Sequence, residues 1–338
     1  MSANGLLFWL TLCTYREKIM KIRCAAGLLM AMFVGLVLSP SRVVAQEADW
    51  YPSRYGADDT IGAANNLSAA GVLKAAGLVT RGKTYQLGGV TGRATPAWGH
   101  RNFNLIMYPH ASEAVPPLGK NLGTSHDDYL ATWLGIGTQI DGFAHYGINH
   151  RYYNGVTAAD LFSPDGTRKY ATKDIPPIVT RGVLLDMVSY LKADRMLEAG
   201  TAFNQPEIVG AAKAQGLEIG KGDVVIFHTG WQPLASEDPE RFMQGEPGLD
   251  VGGAQYLAEL GVVAVGADTW GLDVLPNPDP ELVFPAHSVL LAKNGVYVLE
   301  NIQTAELIAD DVSEFLFVLG IPRFEGAVQM VINPIAIR

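Results

Sequence analysis

The sequence predicts an α/β fold, and two observations support this. Short β-branched and apolar runs alternate along the chain with segments that carry helix start and stop signals. Several of these runs are hydrophobic on both faces, which is typical of strands in a sheet that helices cover on each side. With 48% hydrophobic and 17% charged residues, the chain can bury a large core.

The strands are expected where β-branched residues cluster. The clearest runs are Gly182–Met187, Asp223–Thr229, Val262–Val265 and Val296–Glu300. Helices are expected at Pro206–Gln215, which has proline in its first turn, and at Ala254–Leu260, which stops at a glycine. The longer apolar segment Ala305–Leu319 is predicted as a further helix.

The first 45 residues resemble a leader. After Met20, two basic residues precede the apolar run Ala25–Leu38, and a small-residue cleavage site ends at Ala45. The run is shorter than the roughly 20 residues that a membrane-spanning helix needs. We expect translation from Met20, cleavage after Ala45, and a periplasmic or secreted protein in which residues 46–338 form a single domain.

Charge and cysteine content narrow the range of partners. The chain has 25 basic and 34 acidic residues, and the leader holds five basic residues and one acidic residue. The mature part therefore has 20 against 33, a net charge of −13. Phosphate backbones and anionic lipids repel such a protein, so neither nucleic acid nor a membrane is an expected partner.

Both cysteines, Cys13 and Cys24, lie in the leader, which excludes disulfides and thiolate ligands from the mature chain.

A glycine-rich stretch at residues 135–147 carries the first candidate site residues. If residues 139–141 are extended, Gln139 and Asp141 project from the same face, because strand side chains alternate. His145 follows one helical turn after Asp141, so its imidazole can reach the same point. By spacing alone, an Asp beside glycine is also a turn former, and a single His is also a hydrogen-bonded core residue.

A second stretch, residues 285–301, contains a histidine and ends near a carboxylate. Glu300 closes an apolar strand, where a carboxylate is costly unless it is paired or bound to a metal. His287 opens the segment that leads into this strand. A metal held by Gln139, Asp141, His287 and Glu300 would satisfy all four side chains.

These residues resemble the signature of the cyclase family of metal-dependent hydrolases, which includes bacterial kynurenine formamidase and isatin hydrolase. The family pattern H-x-G-T-H-x-D-x-x-x-H reads G-I-G-T-Q-I-D-G-F-A-H at residues 135–145, and His287 and Glu300 match its downstream pair. Residues 222–231, 267–270 and 333–337 extend the resemblance over most of the mature chain. The departures are Gly135 and Gln139, where the family has histidine.

The resemblance implies the family's swivelling β/β/α domain, with a mixed sheet covered by helices, and a homodimer. It also implies that Gln139, Asp141, His287 and Glu300 bind a metal and that His145 is the general base or acid. Because the imidazole is missing at Gly135, we expect one divalent ion. With three oxygen donors and one imidazole, Mn is as plausible as Zn.

The implied reaction is the attack of water on the carbonyl of an amide, lactam or formamide, with an ester or lactone as the alternative. Trp133, Thr138, Phe143 and Tyr146 surround the motif and are candidates for the pocket of a cyclic or aromatic small molecule. For the aromatic residues, core packing is an equal interpretation. Thr138 is a candidate oxyanion donor. Asp268 is predicted either to orient a ligand or to form a turn.

Two other functions remain open at this stage. An exported binding protein with a degenerate metal site would account for Gly135 and Gln139, although the other site residues would then have no physical reason to persist. Ring closure or lactone chemistry would use the same metal and imidazole. A serine hydrolase, a dinucleotide-binding fold and a P-loop enzyme are disfavoured, because the mature chain lacks their motifs.

Overall fold

A mixed sheet forms the centre of the protein. The computed structural model describes residues 50–108 and 114–338, so the predicted leader lies outside the described residues. Within these ranges the strands are β1 (Thr84–Gln86), β2 (Phe103–Tyr108), β3 (Asp127–Thr132), β4 (Gln139–Asp141), β5 (Phe162–Ser163), β6 (Gly166–Thr167), β7 (Ile178–Asp186), β8 (Ala202–Phe203), β9 (Val224–His228), β10 (Gly248–Leu249), β11 (Ala264–Ala267), β12 (Tyr297–Glu300), β13 (Glu314–Leu319), β14 (Gln329–Val331) and β15 (Ile335–Ile337).

Nine of these strands form the main sheet, in the order β1-β15-β13-β7-β9-β11-β12-β4-β14. The central strands β7, β9, β11 and β12 are parallel, and the strands on both flanks are antiparallel. Except for its last residue, β9 is buried, and β11 and β12 are buried throughout. Because neither face meets water, these strands are continuous apolar runs. The predicted mixed α/β fold is confirmed.

Helices cover the sheet. In the described ranges they are α1 (Ala69–Ala76), α2 (Ala158–Leu161), α3 (Met187–Tyr190), α4 (Gln205–Ala214), α5 (Leu234–Glu237), α6 (Pro239–Gln244), α7 (Val251–Leu260), α8 (Pro285–His287) and α9 (Ala305–Ala309). Short 3₁₀ turns occur at Gly62–Asn66, Tyr153–Gly155 and Thr172–Asp174, and a π-helical segment spans Ser288–Asn294. Among these described helices, none has the length and apolar content that a membrane span requires.

The helix start and stop signals in the sequence have the predicted effect at α4 and α7. At α4 the Glu207 carboxylate accepts a hydrogen bond from the backbone N–H of Asn204 (2.9 Å), which caps the first turn. At α7 the Asp250 side chain accepts from the N–H of Val251, and Gly261 ends the helix with φ of 81°. This left-handed conformation suits a residue without Cβ.

The prediction of one helix over Ala305–Leu319 is wrong. The chain forms the short helix α9, turns at Asp311 with φ of 53°, and continues as strand β13. In β13 buried and half-buried residues alternate, with Phe315, Phe317 and Leu319 facing the core. This period of two is the signature of a strand, and the high apolar content of the segment conceals it.

The parallel centre of the sheet places polar residues at one edge. Parallel strands all end at the same edge, and binding sites of α/β proteins commonly lie beyond it. His228 ends β9, Asp268 directly follows β11, and Glu300 ends β12. Strand β4 is antiparallel to β12, so its first residue, Gln139, lies at this edge opposite Glu300.

Candidate metal centre

Strand pairing brings three of the predicted ligands together. In the register of β4 and β12, Gln139 lies opposite Glu300 and Asp141 lies opposite Val298. Directly opposed residues share a face, as do alternate residues along a strand. Gln139, Asp141 and Glu300 therefore project to the same side of the sheet, and all three side chains are buried.

His287 reaches the same point from helix α8. Its Nδ1 lies 2.6 Å from Asp273 Oδ2, while its Nε2 lies 3.3 Å from Asp141 Oδ2 and 3.3 Å from Glu300 Oε1. Asp273 also accepts a hydrogen bond from the N–H of Ala286 (2.6 Å), which fixes the carboxylate. Because Asp273 holds the Nδ1 edge, Nε2 is presented to the two carboxylates, as in a histidine that binds metal.

His145 lies in the turn after β4, with its Nε2 3.8 Å from Asp141 Oδ2. One ligand atom from each of Asp141, His145 and His287 lies within 4.8 Å of the others. Two atoms that bind one ion at about 2.0–2.3 Å lie at most roughly 4.6 Å apart, so the bound of 4.8 Å places the three groups around one point without making all three of them ligands. Burial lowers the pKa of His145, so the ring is neutral at neutral pH and can accept a proton.

Burial and mutual charge perturb the acids of the site. Burial opposes ionisation of Asp141, but the neighbouring imidazoles outweigh it and lower its pKa. Burial and the charge of Asp141 raise the pKa of Glu300. Burial also raises the pKa of Asp273 and, together with the charge of Glu300, that of Glu246. Asp141, Glu300 and Asp273 thus lie around His287, with Glu246 buried beside Glu300 and Asp273, and a divalent cation fits this group of acids.

The chemical nature of the donor atoms also fits a divalent cation. Gln139 Nε2 donates to Asp141 Oδ1 (3.1 Å), which leaves the Gln139 carbonyl oxygen available as a ligand. Two carboxylates, one amide oxygen and one oriented imidazole form a site for a hard or borderline divalent ion. The structure therefore brings together all four predicted ligands and the predicted base.

Sequence reasoning missed Gln329. Strand β14 pairs with β4 so that Gln329 lies opposite Asp141, and Gln329 Nε2 donates to Asp141 Oδ1 (2.8 Å). The same nitrogen lies 3.4 Å from His145 Nε2. A Cβ at Gly135 would lie 2.4 Å from Gln329 Oε1 and 2.6 Å from its Nε2. The amide thus occupies the space that a side chain at position 135 would need.

A cavity of about 170 Å³ opens onto these groups. Its aromatic wall includes Trp98, Trp270 and Phe284, and Trp98 stacks on Trp270 with ring centroids 5.3 Å apart. Tyr146, a predicted pocket residue, also lines the cavity. Sequence reasoning missed Trp98, which no motif marks, and Phe284, which directly precedes the stretch 285–301 that contains His287.

The other three pocket candidates do not line this cavity, although Thr138 lines a second cavity beside it. Trp133 is 44% exposed and packs edge-on against His100, and Phe143 is buried and stacked on Tyr297 in the core. The Thr138 hydroxyl donates to the carbonyl of Asn301 (2.7 Å) and accepts from the N–H of Gly89 (2.8 Å). Its hydrogen is thus already used in the fold, so the structure gives it no place as an oxyanion donor.

Comparison with known proteins agrees with this geometry. The cyclase family model, described as "Putative cyclase", matches residues 79–274. A crystal structure of a novel cyclase is similar, with a TM-score of 0.76 and 26% identity over 84% of this chain and 96% of that chain.

Two isatin hydrolases share the fold. One, bound to the product analogue thioisatinate, has a TM-score of 0.58 and 19% identity over 80% of this chain and 98% of its own. The second, isatin hydrolase A from Ralstonia solanacearum, has a TM-score of 0.56 and 18% identity over 80% and 98%. Comparison with curated proteins gave no match.

Proposed function

This chain belongs to the cyclase family, and from that premise we propose that it is a metal-dependent hydrolase that cleaves a C–N bond in an amide, lactam or formamide. The observation that carries the proposal is that His287 Nε2 lies 3.3 Å from both Asp141 Oδ2 and Glu300 Oε1, with His145 Nε2 3.8 Å from the same Asp141 oxygen. Glu300 and Gln139 complete a buried donor set beside the cavity.

We propose Gln139, Asp141, His287 and Glu300 as the ligands of one Mn or Zn ion. Such an ion supplies Lewis acidity and lowers the pKa of bound water toward about 7. The oxygen-rich donor set supports Mn, while the higher intrinsic affinity of Zn for such sites keeps Zn in the proposal.

We assign the proton transfers to His145. Its neutral ring accepts a proton from the attacking water while the water oxygen bonds to the carbonyl carbon. As the C–N bond breaks, the imidazolium returns that proton to the leaving nitrogen, and the ring is again neutral. The products are a carboxylic acid and an amine, or a single ring-opened amino acid when the substrate is a lactam.

The aromatic wall supports a flat, cyclic substrate. Trp98, Trp270 and Phe284 line one side of the cavity, and such rings provide a large contact area for a planar molecule. Isatin is a cyclic amide, and the fold shared with isatin hydrolases makes it a suitable first compound to test.

Export and dimerisation are also part of the proposal. The leader sequence before residue 46 supports a periplasmic or secreted protein. On the hairpin of β2 and β3 the exposed Leu105 and Leu130 lie opposite each other, and an exposed apolar pair of this kind supports a homodimer. Size-exclusion chromatography with light scattering would test the dimer, and N-terminal sequencing of the exported protein would test cleavage after Ala45.

The test of the proposed function combines metal analysis with hydrolysis. The purified mature protein, residues 46–338, should contain about one Mn or Zn per chain, and it should hydrolyse isatin or a related lactam or formamide. Asp141→Ala should lose both properties, whereas Asp165→Ala, which changes an exposed carboxylate, should keep both. A protein that refuses added metal and hydrolyses none of these compounds would favour the exported binding protein instead.

A further inference from the structure

A second, larger cavity adjoins the metal cavity. It has a volume of about 830 Å³, and Pro96, Gly137 and Asn301 line both cavities. The metal cavity, at about 170 Å³, is smaller than the roughly 300–1,000 Å³ typical of small-molecule sites. A substrate larger than the metal cavity therefore has room to extend into the second one.

His228 lies in the wall of the second cavity, at the end of strand β9. Its Nδ1 lies 2.8 Å from Thr304 Oγ1 and 3.3 Å from Asp268 Oδ2. These contacts hold the Nδ1 edge of the ring against the protein. In the part of the chain that the structure describes, Nε2 has no hydrogen-bond partner, so the opposite edge of the ring is free for a ligand in the cavity.

Asp268 positions His228 and is itself fully engaged. Its Oδ1 accepts from the N–H of Thr229 (2.8 Å) and from the Thr229 hydroxyl (2.6 Å), and its Oδ2 accepts from the N–H of Gly230 (2.9 Å). The Thr304 hydroxyl lies 3.4 Å from Oδ2. Since Asp268 is only 1% exposed, its carboxylate orients the imidazole and offers no acceptor to a ligand.

The charge around the ring favours an anion. Burial opposes protonation of His228, but the hydrogen bond and charge of Asp268 outweigh it, and with Asp186 they raise the pKa of the ring. Arg93 also lines the cavity and donates to the carbonyl of Leu105 (2.6 Å), with no carboxylate as partner among the described residues. Arg195 pairs with Glu237 at the rim.

The positively charged lining of this cavity is not expected from the overall composition of the chain. The whole chain is acidic, with a formal net charge of −9, yet the lining contains two arginines, one histidine and only the saturated Asp268 as an acid. Such a lining attracts a carboxylate, because hydrogen bonds that imidazolium and guanidinium groups donate to a carboxylate are stronger than hydrogen bonds between neutral groups.

Strand order and register determine how the two cavities lie at the edge of the sheet. His228 ends β9 and Glu300 ends β12, with β11 between them. Neighbouring strands lie about 4.8 Å apart, so the two backbones are about 10 Å apart. In the strand register Glu300 shares a face with Phe227, so His228 projects from the other face of the sheet, and a substrate that joins the two cavities passes over this edge.

We propose that the cavity over His228 is a second substrate subsite that binds a carboxylate. This inference rests on the proposed function and narrows its substrate class. The substrate is an amide, lactam or formamide that carries a carboxylate remote from the reacting carbonyl. His228 Nε2 donates to that carboxylate, and Arg93 supplies the second positive charge.

The first test measures carboxylate binding without turnover. Butyrate is titrated into ¹⁵N-histidine-labelled protein, with butyramide as the neutral control. Butyrate should shift the His228 resonances, and butyramide should not. His228→Phe and Arg93→Gln should each weaken butyrate binding about tenfold or more. His126→Phe, which changes an exposed histidine, should leave binding unchanged.

Two results of this titration would overturn the subsite. One is a butyrate response confined to His145 and His287, which would place the anion at the metal cavity. The other is equal butyrate affinity in wild type, His228→Phe and Arg93→Gln. The Arg93→Gln variant leaves the His228–Asp268 pair intact, so it decides the question even where His228→Phe fails to fold.

The second test uses turnover of a matched substrate pair. One formamide carries a distal carboxylate, and the other carries the corresponding methyl ester. His228→Phe should raise KM for the acid about tenfold or more and leave KM for the ester and kcat for both nearly unchanged. Equal changes for both members would show that the carboxylate belongs to a separate ligand, which overturns the substrate assignment. If the wild type hydrolyses neither member, the proposed function fails, and the butyrate titration still decides the subsite.

Discussion

Gly135→Ala tests whether the Gln329 amide stabilises the site in place of the family's first histidine. The added Cβ would lie 2.4–2.6 Å from three atoms of the Gln329 amide group. The backbone at Gly135 does not have a positive φ, so an L-residue fits the local conformation. The flexible end of Gln329 must therefore move, and its hydrogen bond to Asp141 (2.8 Å) is lost.

The expected effect on the free energy of unfolding is the difference of two terms. Loss of a hydrogen bond to a buried charged group costs about 1.5–3 kcal/mol. Replacement of glycine by alanine in a compatible conformation gains about 0.4–1 kcal/mol by restricting the unfolded chain. Gly135→Ala alone should therefore destabilise the protein by about 0.5–2.6 kcal/mol.

A double-mutant cycle separates the two terms. In a Gln329→Ala background no amide remains to be displaced, so Gly135→Ala should stabilise the protein by about 0.4–1 kcal/mol. The coupling energy between the two positions should then be about 1.5–3 kcal/mol. Gly92→Ala is the matched control, because a Cβ there meets nothing within 4 Å and the substitution reports only the backbone effect.

The assay is urea unfolding of wild type, both single variants, the double variant and the control, all after metal removal. A Gly135→Ala variant as stable as wild type would refute the reasoning. A coupling energy below about 0.5 kcal/mol, the usual error of additivity, would do the same.

The remaining predictions concern the metal, the base and pH. Asp141→Ala should weaken metal binding by more than about 100-fold, and unchanged metal content after dialysis would contradict its role as a ligand. His145→Ala should keep the metal and lower kcat by about 10²–10⁴, whereas loss of the metal would place His145 among the ligands. Gln139→His should shift metal selectivity toward Zn, and the same Mn-to-Zn affinity ratio would count against Gln139 as a ligand. The pKa of His228 is raised in the folded protein, so its stabilising effect is present below the ordinary histidine pKa of about 6.5 and is lost as pH rises through the folded pKa. His228→Gln should flatten this step in urea unfolding, and an unchanged step would contradict the assignment.

The parts of the fold that short sequence patterns determine could be predicted from the sequence. Strands β9, β11 and β12 are almost entirely buried, so each appears as an apolar run that ends in a polar residue or directly precedes one, and β7 has this character in its second half. Gln139 and Asp141 share a face because they lie two residues apart in β4. Strand β13 could not be separated from α9 by apolar content, because the signal there is the period of burial and not its amount.

The parts of the site that depend on long-range pairing could not be predicted. Gln329 lies 188 residues from Asp141 in sequence and reaches it only because β14 pairs with β4. Asp273 lies 14 residues before His287, and its role depends on helix α8 returning to the turn after β11. In the sequence, Gly135 appears only as the loss of the family's histidine. The position of the Gln329 amide in the structure shows what fills the space of that side chain.

The same feature of the sheet accounts for both cavities. A strand buried on both faces has no place for a charged side chain except at its end, because an unpaired buried charge is costly. Parallel strands all end at one edge, so His228, Asp268 and Glu300 collect there although they lie far apart in sequence. At each of these ends the fold supplies partners: Asp268 and Thr304 hold His228, and His287 faces Glu300. The polar residue at the end of an apolar run is therefore the most informative position in this sequence. The residue that faces it in the fold determines whether that strand end belongs to the metal cavity or to the proposed carboxylate subsite.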